Sequence, residues 1–368
     1  MNPPQVLITG GGTGGHVYPA LALGEELVRR GHERGAIHYV GAARGLEATA
    51  VPAAGFPVEL LPGRGFQRRA TPRALFANLG TAAATVVAFV RAWWILSRIR
   101  PSVVVGVGGY ASLPCVVAAR LRRIPVVVHE QNLAPGVANR IAVRLGARAA
   151  VALAGTPLRG AVIVGNPVRG AVFEIERRPD PSRPLVLVSG GSLGARTINA
   201  AVVGLAFRWR DRADLRIRHV AGVRNVDACT VALAALRGPA DRLEYTLVDY
   251  EERMDEWYAQ ASVAVCRAGA ITVAELAAAG VPAVLVPLPG APADHQTANA
   301  EALADVGAAV VIADAECTTD RLGEELEGLL GDPERLAAMG AGARTLAQPD
   351  AAGRLADLVE DAARNRHA

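Results

Sequence analysis

The chain has 368 residues, which is more than one ordinary hydrophobic core holds, so we expect two domains. Hydrophobic residues make up 51% of the chain and charged residues 20%, and this balance excludes a disordered protein. All 39 basic residues are Arg, which excludes a Walker A nucleotidase and a pyridoxal phosphate enzyme, because each of these requires a Lys.

The charge is distributed unevenly along the chain. Residues 1–165 hold 18 Arg, 6 Glu and no Asp, a balance of +12, whereas residues 166–368 have a balance of −8. A basic half prefers anionic partners, which here means nucleic acid, an anionic lipid surface or a diphosphate substrate. The four cysteines lie too far apart for a metal-type spacing and are typical of buried thiols in a reducing cytosol.

Short apolar runs of the β type alternate with helical stretches rich in Ala and Leu. The predicted strands are Val6–Thr9, Ile37–Val40, Val103–Val107, Pro125–His129, Leu185–Ser189, Arg216–Val220, Val263–Cys266 and Ala283–Pro287. Continuous apolar strands alternating with helices predict parallel sheets covered on both faces, here an α/β protein with two doubly wound sheets.

The boundary between the two predicted domains lies where Gly and Asn-Pro interrupt the pattern, at Val164–Arg169, and where the charge balance changes. We therefore expect domains at residues 1–165 and 166–349. The last stretch, Asp350–Asn365, has a helical pattern.

Three of the predicted strands run into a glycine-rich turn that precedes a helical stretch. The turns are Gly10–His16, Gly108–Ser112 and Gly190–Ala195. Each turn presents free backbone N–H groups beside a helix N-terminus, which is a site that attracts anions. Three such turns suit an enzyme whose two substrates each carry a diphosphate.

The first turn also fits the dinucleotide pattern G-x-G-x-x-G through Gly10, Gly12 and Gly15. That fold requires an acidic residue at the end of the second strand to bind the ribose, but the strand is followed by Gly41-Ala42-Ala43. Arg44 suits a 2′-phosphate, so an NADP oxidoreductase remains an alternative.

An apolar stretch rich in aromatic residues lies between several Arg residues in the first half. It begins at Leu75, Phe76 and Leu79 and ends at Phe89, Trp93 and Trp94. Polar interruptions make it a poor transmembrane segment, but Arg and Trp around an apolar face are typical of an interfacial membrane contact. The alternative is an ordinary buried helix.

In the second half, a helix beginning near Ala270 or Thr272 can direct its N-terminus at donor phosphates. Glu275, one turn further, can accept hydrogen bonds from both ribose hydroxyls, or it can simply favour the helix dipole. Gln296 and Asn299 follow another strand end and can bind sugar hydroxyls or cap a helix. The sequence has no Asp-x-Asp pair, so we expect no metal and no cofactor.

Taken together, these residues resemble the bacterial UDP-N-acetylglucosamine transferases that make the lipid-linked disaccharide precursor of peptidoglycan. Seven ordered motifs carry the resemblance and span nearly the whole chain: Gly11–His16, Gly108–Tyr110, His129–Asn132, Gly165–Arg169, Gly190–Ala195, Cys266–Glu275, and His295-Gln296 with Asn299.

The resemblance implies the GT-B fold, with two Rossmann-like domains, an interdomain cleft and the C-terminal helix, about 350–368, on the first domain. It implies inverting transfer of N-acetylglucosamine from UDP-N-acetylglucosamine to the C4 hydroxyl of the muramyl sugar of an undecaprenyl-pyrophosphoryl acceptor. It also implies a peripheral enzyme on the cytoplasmic face of the membrane, beside other cell-wall synthesis proteins and without nucleic acid.

The residues implied in donor binding are Thr13, Gly14, Gly15, Asn132, Arg169, Ser192, Glu251, Ala270, Ile271, Thr272, Val273, Ala274, Glu275 and Gln296. Those implied in acceptor binding are Gly12, His16, Gly108, Gly109, Tyr110 and Asn139. Three positions depart from the pattern of some family members: Ala274 stands where some relatives have Ser, His295 stands where some have Gln, and Glu251 stands where an apolar residue is common in the loop on the uracil side.

Inversion needs one general base and no enzyme nucleophile. His16 is the first candidate, because the positive end of a helix dipole beside it favours a neutral imidazole that can accept a proton. Glu130 is the second candidate. A nucleotide-sugar sensor without turnover, a sugar 2-epimerase and a natural-product glycosyltransferase remain alternatives.

Overall fold

The computed structural model describes residues 5–12, 14–43, 45–62, 72–191, 194–291 and 294–365, with side chains for all of these except 72–83. The chain divides into two compact units. The first consists of Met1–Arg169 and Gln348–Ala368, and the second of Gly170–Ala347.

The first unit is built on a seven-stranded parallel sheet. Its strands are β1 (Val6–Thr9), β2 (Ile37–Ala42), β3 (Val58–Leu61), β4 (Val103–Gly106), β5 (Val126–Glu130), β6 (Arg148–Val151) and β7 (Val162–Ile163). They lie in the order β3-β2-β1-β4-β5-β6-β7. The central strands are buried apolar runs, which is why the sheet is covered by helices on both faces.

The helices of the first unit are α1 (Gly14–Arg29), α2 (Glu47–Ala53), α3 (Pro72–Ile99), α4 (Ser112–Leu121), α5 (Val137–Arg144) and the C-terminal helix, numbered α14 (Ala351–Arg364). Helix α14 packs against α1, and its residues Leu355 and Val359 enter the core formed by β1 and β4. Arg30 at the end of α1 donates to the carboxylates of Asp357 and Glu360, which holds the two helices together.

The second unit repeats the design with a six-stranded parallel sheet. Its strands are β8 (Leu185–Ser189), β9 (Arg216–Val220), β10 (Glu244–Val248), β11 (Val263–Cys266), β12 (Ala283–Leu285) and β13 (Ala309–Val311), in the order β10-β9-β8-β11-β12-β13. Its helices are α6 (Gly170–Phe173), α7 (Arg196–Arg208), α8 (Val226–Leu236), α9 (Met254–Gln260), α10 (Ala270–Ala279), α11 (His295–Asp305), α12 (Thr319–Leu330) and α13 (Pro333–Thr345).

Helix α1 begins at Gly14, before Pro19, although Pro favours the first helical position. Pro19 lies in the second turn of the helix, where its missing N–H forgoes a single hydrogen bond. The consequence is that Gly14, Gly15 and His16 belong to the first helical turn and not to a loop.

Within the described part of the chain, no helix combines the length and the apolar character needed to cross a membrane.

Candidate functional site

The strand order of each unit reverses next to its first strand, and in open α/β sheets ligands bind at the carboxyl ends of the strands at such a switch point. In the first unit β1 and β4 flank this point, so the turns after them are adjacent. The N–H of Gly11 donates to the carbonyl of Gly108 over 3.3 Å. A Cβ at Gly109 would lie 2.4 Å from the oxygen of Gly11, so only glycine permits this approach. Two of the three predicted glycine turns therefore form one backbone surface.

His16 lies in the first turn of α1 with its ring against the second glycine turn. A Cβ placed on Gly108 would meet the imidazole Cδ2 at 3.0 Å and Nε2 at 3.1 Å. The same hypothetical Cβ would be 3.7 Å from the amide nitrogen of Asn139. Five of the predicted acceptor residues thus lie together at one edge of the sheet: Gly12, His16, Gly108, Gly109 and Asn139. The sixth, Tyr110, directly follows Gly109 in the chain.

The turn Gly10–Gly12 is organised by Glu47, a residue that our sequence analysis did not identify. Its carboxylate accepts the N–H of Gly12 over 2.8 Å and that of Ala42 over 2.5 Å. Glu47 is only 2% exposed, and Gly11, Gly41 and Gly45 leave room for it, since a Cβ on any of them would lie 2.2 Å from its side chain. The available signal was an acidic residue at a helix start, preceded by Gly41 and Gly45.

Glu130, at the end of β5, ties together the loop that leads to α5. One carboxylate oxygen accepts the backbone and side-chain N–H groups of Asn132, at 3.1 and 3.3 Å. The other accepts the N–H of Gly136 and the amide of Asn139, both at 2.9 Å. Four donors hold a carboxylate that is 3% exposed, so Glu130 has the partners of a loop organiser. Asn132 and Asn139 are therefore both held by Glu130.

The neighbouring His129 is fully buried and links strand β5 to Gly165, which follows β7. Its Nε2 lies 3.0 Å from the carbonyl of Gly165, and its Nδ1 lies 3.1 Å from the amide nitrogen of Gln131. A carbonyl can only accept, so Nε2 carries the proton and Nδ1 accepts. Burial is the main cause that lowers the pKa of His129 to about 4, against the opposing effects of the hydrogen bond to Gly165 and the charge of Glu130. His129 is therefore a neutral structural residue close to His16.

Arg169, the last residue of the N-terminal segment of the first unit, lies near the first glycine turn. Its guanidinium is 5.3 Å from the centre of the Tyr18 ring, and a Cβ on Gly14 would be 3.0 Å from that same ring. Tyr18 was not identified from the sequence. Its ring brings together Gly14 and Arg169, two of the predicted donor-binding residues.

In the second unit the switch point lies between β8 and β11, where Ser189 pairs with Cys266. The third glycine turn therefore lies beside the start of α10. Gly191 and Gly194 have φ angles of 82° and 75°, and a Cβ on Gly194 would lie 1.9 Å from the carbonyl oxygen of Ala221. Helix α10 begins at Ala270, so the predicted residues Ala270, Ile271, Thr272 and Val273 form its first turn. The N–H of Val273 donates to the carbonyl of Gly269 over 2.9 Å, whereas the N–H groups of the first three residues precede the helical hydrogen-bond ladder.

Glu275 and Ala274 lie further along α10. The hydroxyl of Tyr258 donates to a carboxylate oxygen of Glu275 over 3.1 Å, so Tyr258 positions this carboxylate. Asn299 donates to the carbonyl of Ala268 over 3.1 Å and supports the turn before the helix. Gln296 accepts the N–H of Leu288 over 2.9 Å, which leaves its amide NH2 group for other contacts.

Glu251 has protein partners for both carboxylate oxygens. One pairs with Arg218, whose guanidinium also lies 4.3 Å from the centre of the Trp257 ring, and the other accepts the N–H of Arg253 over 3.1 Å. Burial alone would raise the pKa of Glu251, but the hydrogen bonds from Arg218 and Arg253 outweigh it and the pKa is lowered. The side chain of this predicted donor residue is thus engaged internally.

Two predicted donor residues, Thr13 and Ser192, lie outside the described residues, as do the side chains of Leu75, Phe76 and Leu79. Among the residues described, no group of three or more His, Cys, Asp and Glu is arranged to hold a metal ion.

The apolar stretch that we predicted at a membrane surface is the helix α3. Near its end Trp94 is 73% exposed, and Val86, Val87, Val90 and Trp93 are exposed with it. Leu121, at the end of α4, is also exposed, and Arg122 lies over the Trp93 ring at 4.8 Å. Phe89 is partly buried against the core of the first unit.

Two models of glycosyltransferase family 28 match the chain, the N-terminal domain over residues 6–151 and the C-terminal domain over residues 185–355. A relative from Nocardioides sp. is 42% identical over 96% of this chain and 97% of its own length. A second relative, from Alkalilimnicola ehrlichii, is 42% identical over 98% of this chain and 99% of its own length. Both are named UDP-N-acetylglucosamine–N-acetylmuramyl-(pentapeptide) pyrophosphoryl-undecaprenol N-acetylglucosamine transferase.

Among solved structures, MurG of Acinetobacter baumannii has a TM-score of 0.73 at 31% identity, covering 98% of this chain and all of that one. The glycosyltransferase of kitacinnamycin has a TM-score of 0.70 at 21% identity and covers 98% of this chain and 100% of that chain, a likeness that shows a shared fold alone. The two Rossmann-like units are those of the GT-B fold. The chain is a glycosyltransferase, and it belongs to family 28 and, within that family, to the MurG transferases.

Proposed function

We infer that the protein transfers N-acetylglucosamine from UDP-N-acetylglucosamine to the C4 hydroxyl of the muramyl sugar of undecaprenyl-pyrophosphoryl-MurNAc-pentapeptide, converting lipid I to lipid II. The observation that carries this is the 42% identity, over 96% of the chain, to a relative named for that transfer. The assay that tests it supplies UDP-N-acetylglucosamine and a lipid I analogue and measures the disaccharide product.

The donor is proposed to bind the second unit. The first turn of α10 supplies backbone N–H groups and the positive helix end for the diphosphate. Glu275, fixed by Tyr258, accepts the ribose hydroxyls, while the amide NH2 of Gln296 donates to a sugar hydroxyl. Thr13, Gly14, Gly15, Asn132, Arg169, Ser192 and Glu251 remain proposed donor residues.

The acceptor is proposed to bind the first unit, at the surface formed by Gly12, Gly108 and Gly109 with Tyr110 and Asn139. His16 removes the proton from the C4 hydroxyl as its oxygen attacks the anomeric carbon. The bond from that carbon to the UDP oxygen breaks, UDP takes the electron pair, and one displacement inverts the configuration. The helix dipole and Arg169 stabilise the charge that develops on the diphosphate.

His16 is favoured over Glu130 as the base. The four N–H groups that Glu130 accepts fix its carboxylate in its loop, whereas the His16 ring lies along the glycine surface. We predict that His16→Ala lowers kcat by about 100-fold or more with little change in the KM for UDP-N-acetylglucosamine, because a general base contributes about this factor. Near-normal turnover would remove His16 from the role.

The proposal includes catalysis without a metal. The transfer rate in excess chelator should equal the rate in added magnesium, because helix ends and Arg169 are assigned the charge of the leaving group. A rate that disappears with the chelator and returns with magnesium would contradict this assignment.

In a panel of ligands tested for thermal stabilisation, UDP should raise the melting temperature of the protein and NADP should not.

We propose that the enzyme works as a peripheral protein on the cytoplasmic face of an anionic membrane, where its acceptor lies. The exposed face of α3 with Arg91 and Arg122 nearby supports this location, since apolar side chains beside Arg favour the boundary between lipid headgroups and acyl chains.

A further inference from the structure

The second unit contains a cavity of about 360 Å³ that is remote from the switch point. Pro184, Ser262 and Pro282 line it, and they immediately precede β8, β11 and β12. Because these strands are parallel, their amino ends lie at the edge of the sheet opposite to the start of α10. The cavity is therefore separate from the proposed donor site.

Two walls of the cavity are apolar and preformed. One is the extended segment that includes Pro179, Pro181 and Pro184, where the fixed φ of each proline limits collapse of the wall. The other is one face of α13, formed by residues at helical spacing: Pro333, Leu336, Ala337, Gly340 and Arg344. A cavity of this volume with an apolar lining and few polar groups has the properties of a small-molecule site.

The polar groups that converge on the cavity are two guanidinium groups. Arg177 donates to the carbonyls of Gly280 and Ala261, and Arg344 makes one bond of 3.4 Å to the carbonyl of Ala279. The groups lie close together, since a Cβ on Gly280 would be 2.6 Å from the Cζ of Arg344. Burial, and then the charge of Arg344, lower the pKa of Arg177 to about 10.

The carbonyls at the end of α10 offset only part of this charge, because a helix end carries about half an elementary charge. None of the residues described as lining the cavity is Asp or Glu. The buried Nε of Arg177 has no hydrogen-bond partner in the described part of the chain. Two repelling cations beside an apolar cavity are complementary to an anion that has an apolar body.

We propose that this cavity binds a small organic carboxylate, with its carboxylate between Arg177 and Arg344 and its apolar part between the proline segment and α13. The site is distinct from the proposed donor and acceptor sites. The cavity recognises its ligand by charge and apolar shape, and this ligand is not a nucleotide.

The test measures binding of 2-naphthoate to the full chain by calorimetry, with uncharged 2-naphthamide as the matched ligand. Arg344→Gln removes one cation, and Ala337→Trp fills the cavity from an exposed position on α13. Arg335→Gln is the control, because Arg335 is on the same helix, pairs with Glu325 and does not line the cavity.

We expect 2-naphthoate to bind at least tenfold more tightly than 2-naphthamide. Its affinity should fall at least tenfold in Arg344→Gln and Ala337→Trp, stay the same in Arg335→Gln and be unaffected by saturating UDP. Equal binding of both ligands, unchanged affinity in Arg344→Gln, or displacement by UDP would overturn the proposal. The readout is binding, so its failure is distinguishable from failure of the transferase assignment.

Discussion

At the scale of single residues, substitution of Glu47 tests whether its hydrogen bonds position the first glycine turn. We predict that Glu47→Gln lowers the free energy of unfolding by about 1–3 kcal/mol, because the amide NH2 would face a backbone N–H and leave a buried donor unsatisfied. The same variant should raise the KM for the acceptor more than that for UDP-N-acetylglucosamine, since Gly12 belongs to the proposed acceptor surface.

Denaturant unfolding and steady-state kinetics measure the two effects. The control is Glu33→Gln, a change of the same chemistry at an exposed residue of the same unit. If Glu47→Gln and Glu33→Gln behave alike in both measurements, Glu47 does not position the turn.

The sequence indicated which residue types are suited to the site, but it did not indicate which hydrogen-bond partners each of these residues has. Glu130 was a sensible candidate base as a carboxylate after a strand. Only the fold brings Gly136 and Asn139 to its second oxygen, six and nine residues along the chain. Glu47 was overlooked for the same reason, because its partner Gly12 is 35 residues away.

At the scale of elements, helix α3 tests the proposed membrane contact. We predict that Val90→Glu combined with Trp94→Glu lowers binding to vesicles of anionic lipid by about tenfold or more, because apolar burial is lost and the new charges are repelled. Both side chains are exposed, so the melting temperature should change little.

Sedimentation with vesicles of phosphatidylglycerol or of phosphatidylcholine measures this binding. Val231→Glu is the matched control, because Val231 is exposed on α8 of the second unit. Vesicle binding that is the same in the double variant and in Val231→Glu would contradict a lipid contact through α3.

Predictions for elements succeeded where burial produces a continuous apolar run. The strands Val6–Thr9, Leu185–Ser189 and Val263–Cys266 have the predicted bounds. Arg216–Val220 also has the predicted bounds, although Arg and His residues interrupt its apolar residues. The strand Glu244–Val248 was missed, because it lies at the edge of its sheet and is exposed or only partly buried, so its sequence need not be apolar throughout.

At the scale of the whole molecule, each unit has a buried neutral histidine among its described residues. In the first it is His129. In the second, His219 donates through Nε2 to Asn199 and accepts the hydroxyl of Tyr245 at Nδ1. Burial lowers the pKa of each to about 4 from an ordinary value of 6.5. Between these values the unfolded chain binds protons that the folded chain does not, so the stability present above pH 6.5 is lost as the pH falls towards 4.

We predict that each histidine makes folding less favourable by up to about 3 kcal/mol across this window. Denaturant midpoints measured from pH 7 to pH 5 should therefore decline, and His219→Gln should decline less steeply, because glutamine retains hydrogen-bonding groups but does not titrate. A slope that is identical in wild type and His219→Gln would show that His219 is not responsible.

The sequence by itself determined the parallel α/β architecture, the glycine turns, the absence of Lys and the membership of a transferase family. These depend on local patterns of burial, backbone freedom and residue type, which are present in consecutive residues. The tertiary structure alone decided that Gly11 meets Gly108, that Glu47 holds Gly12 and that Arg177 and Arg344 line one cavity. Parallel strands joined by helical crossovers bring together residues far apart in sequence, so no local pattern encodes these contacts.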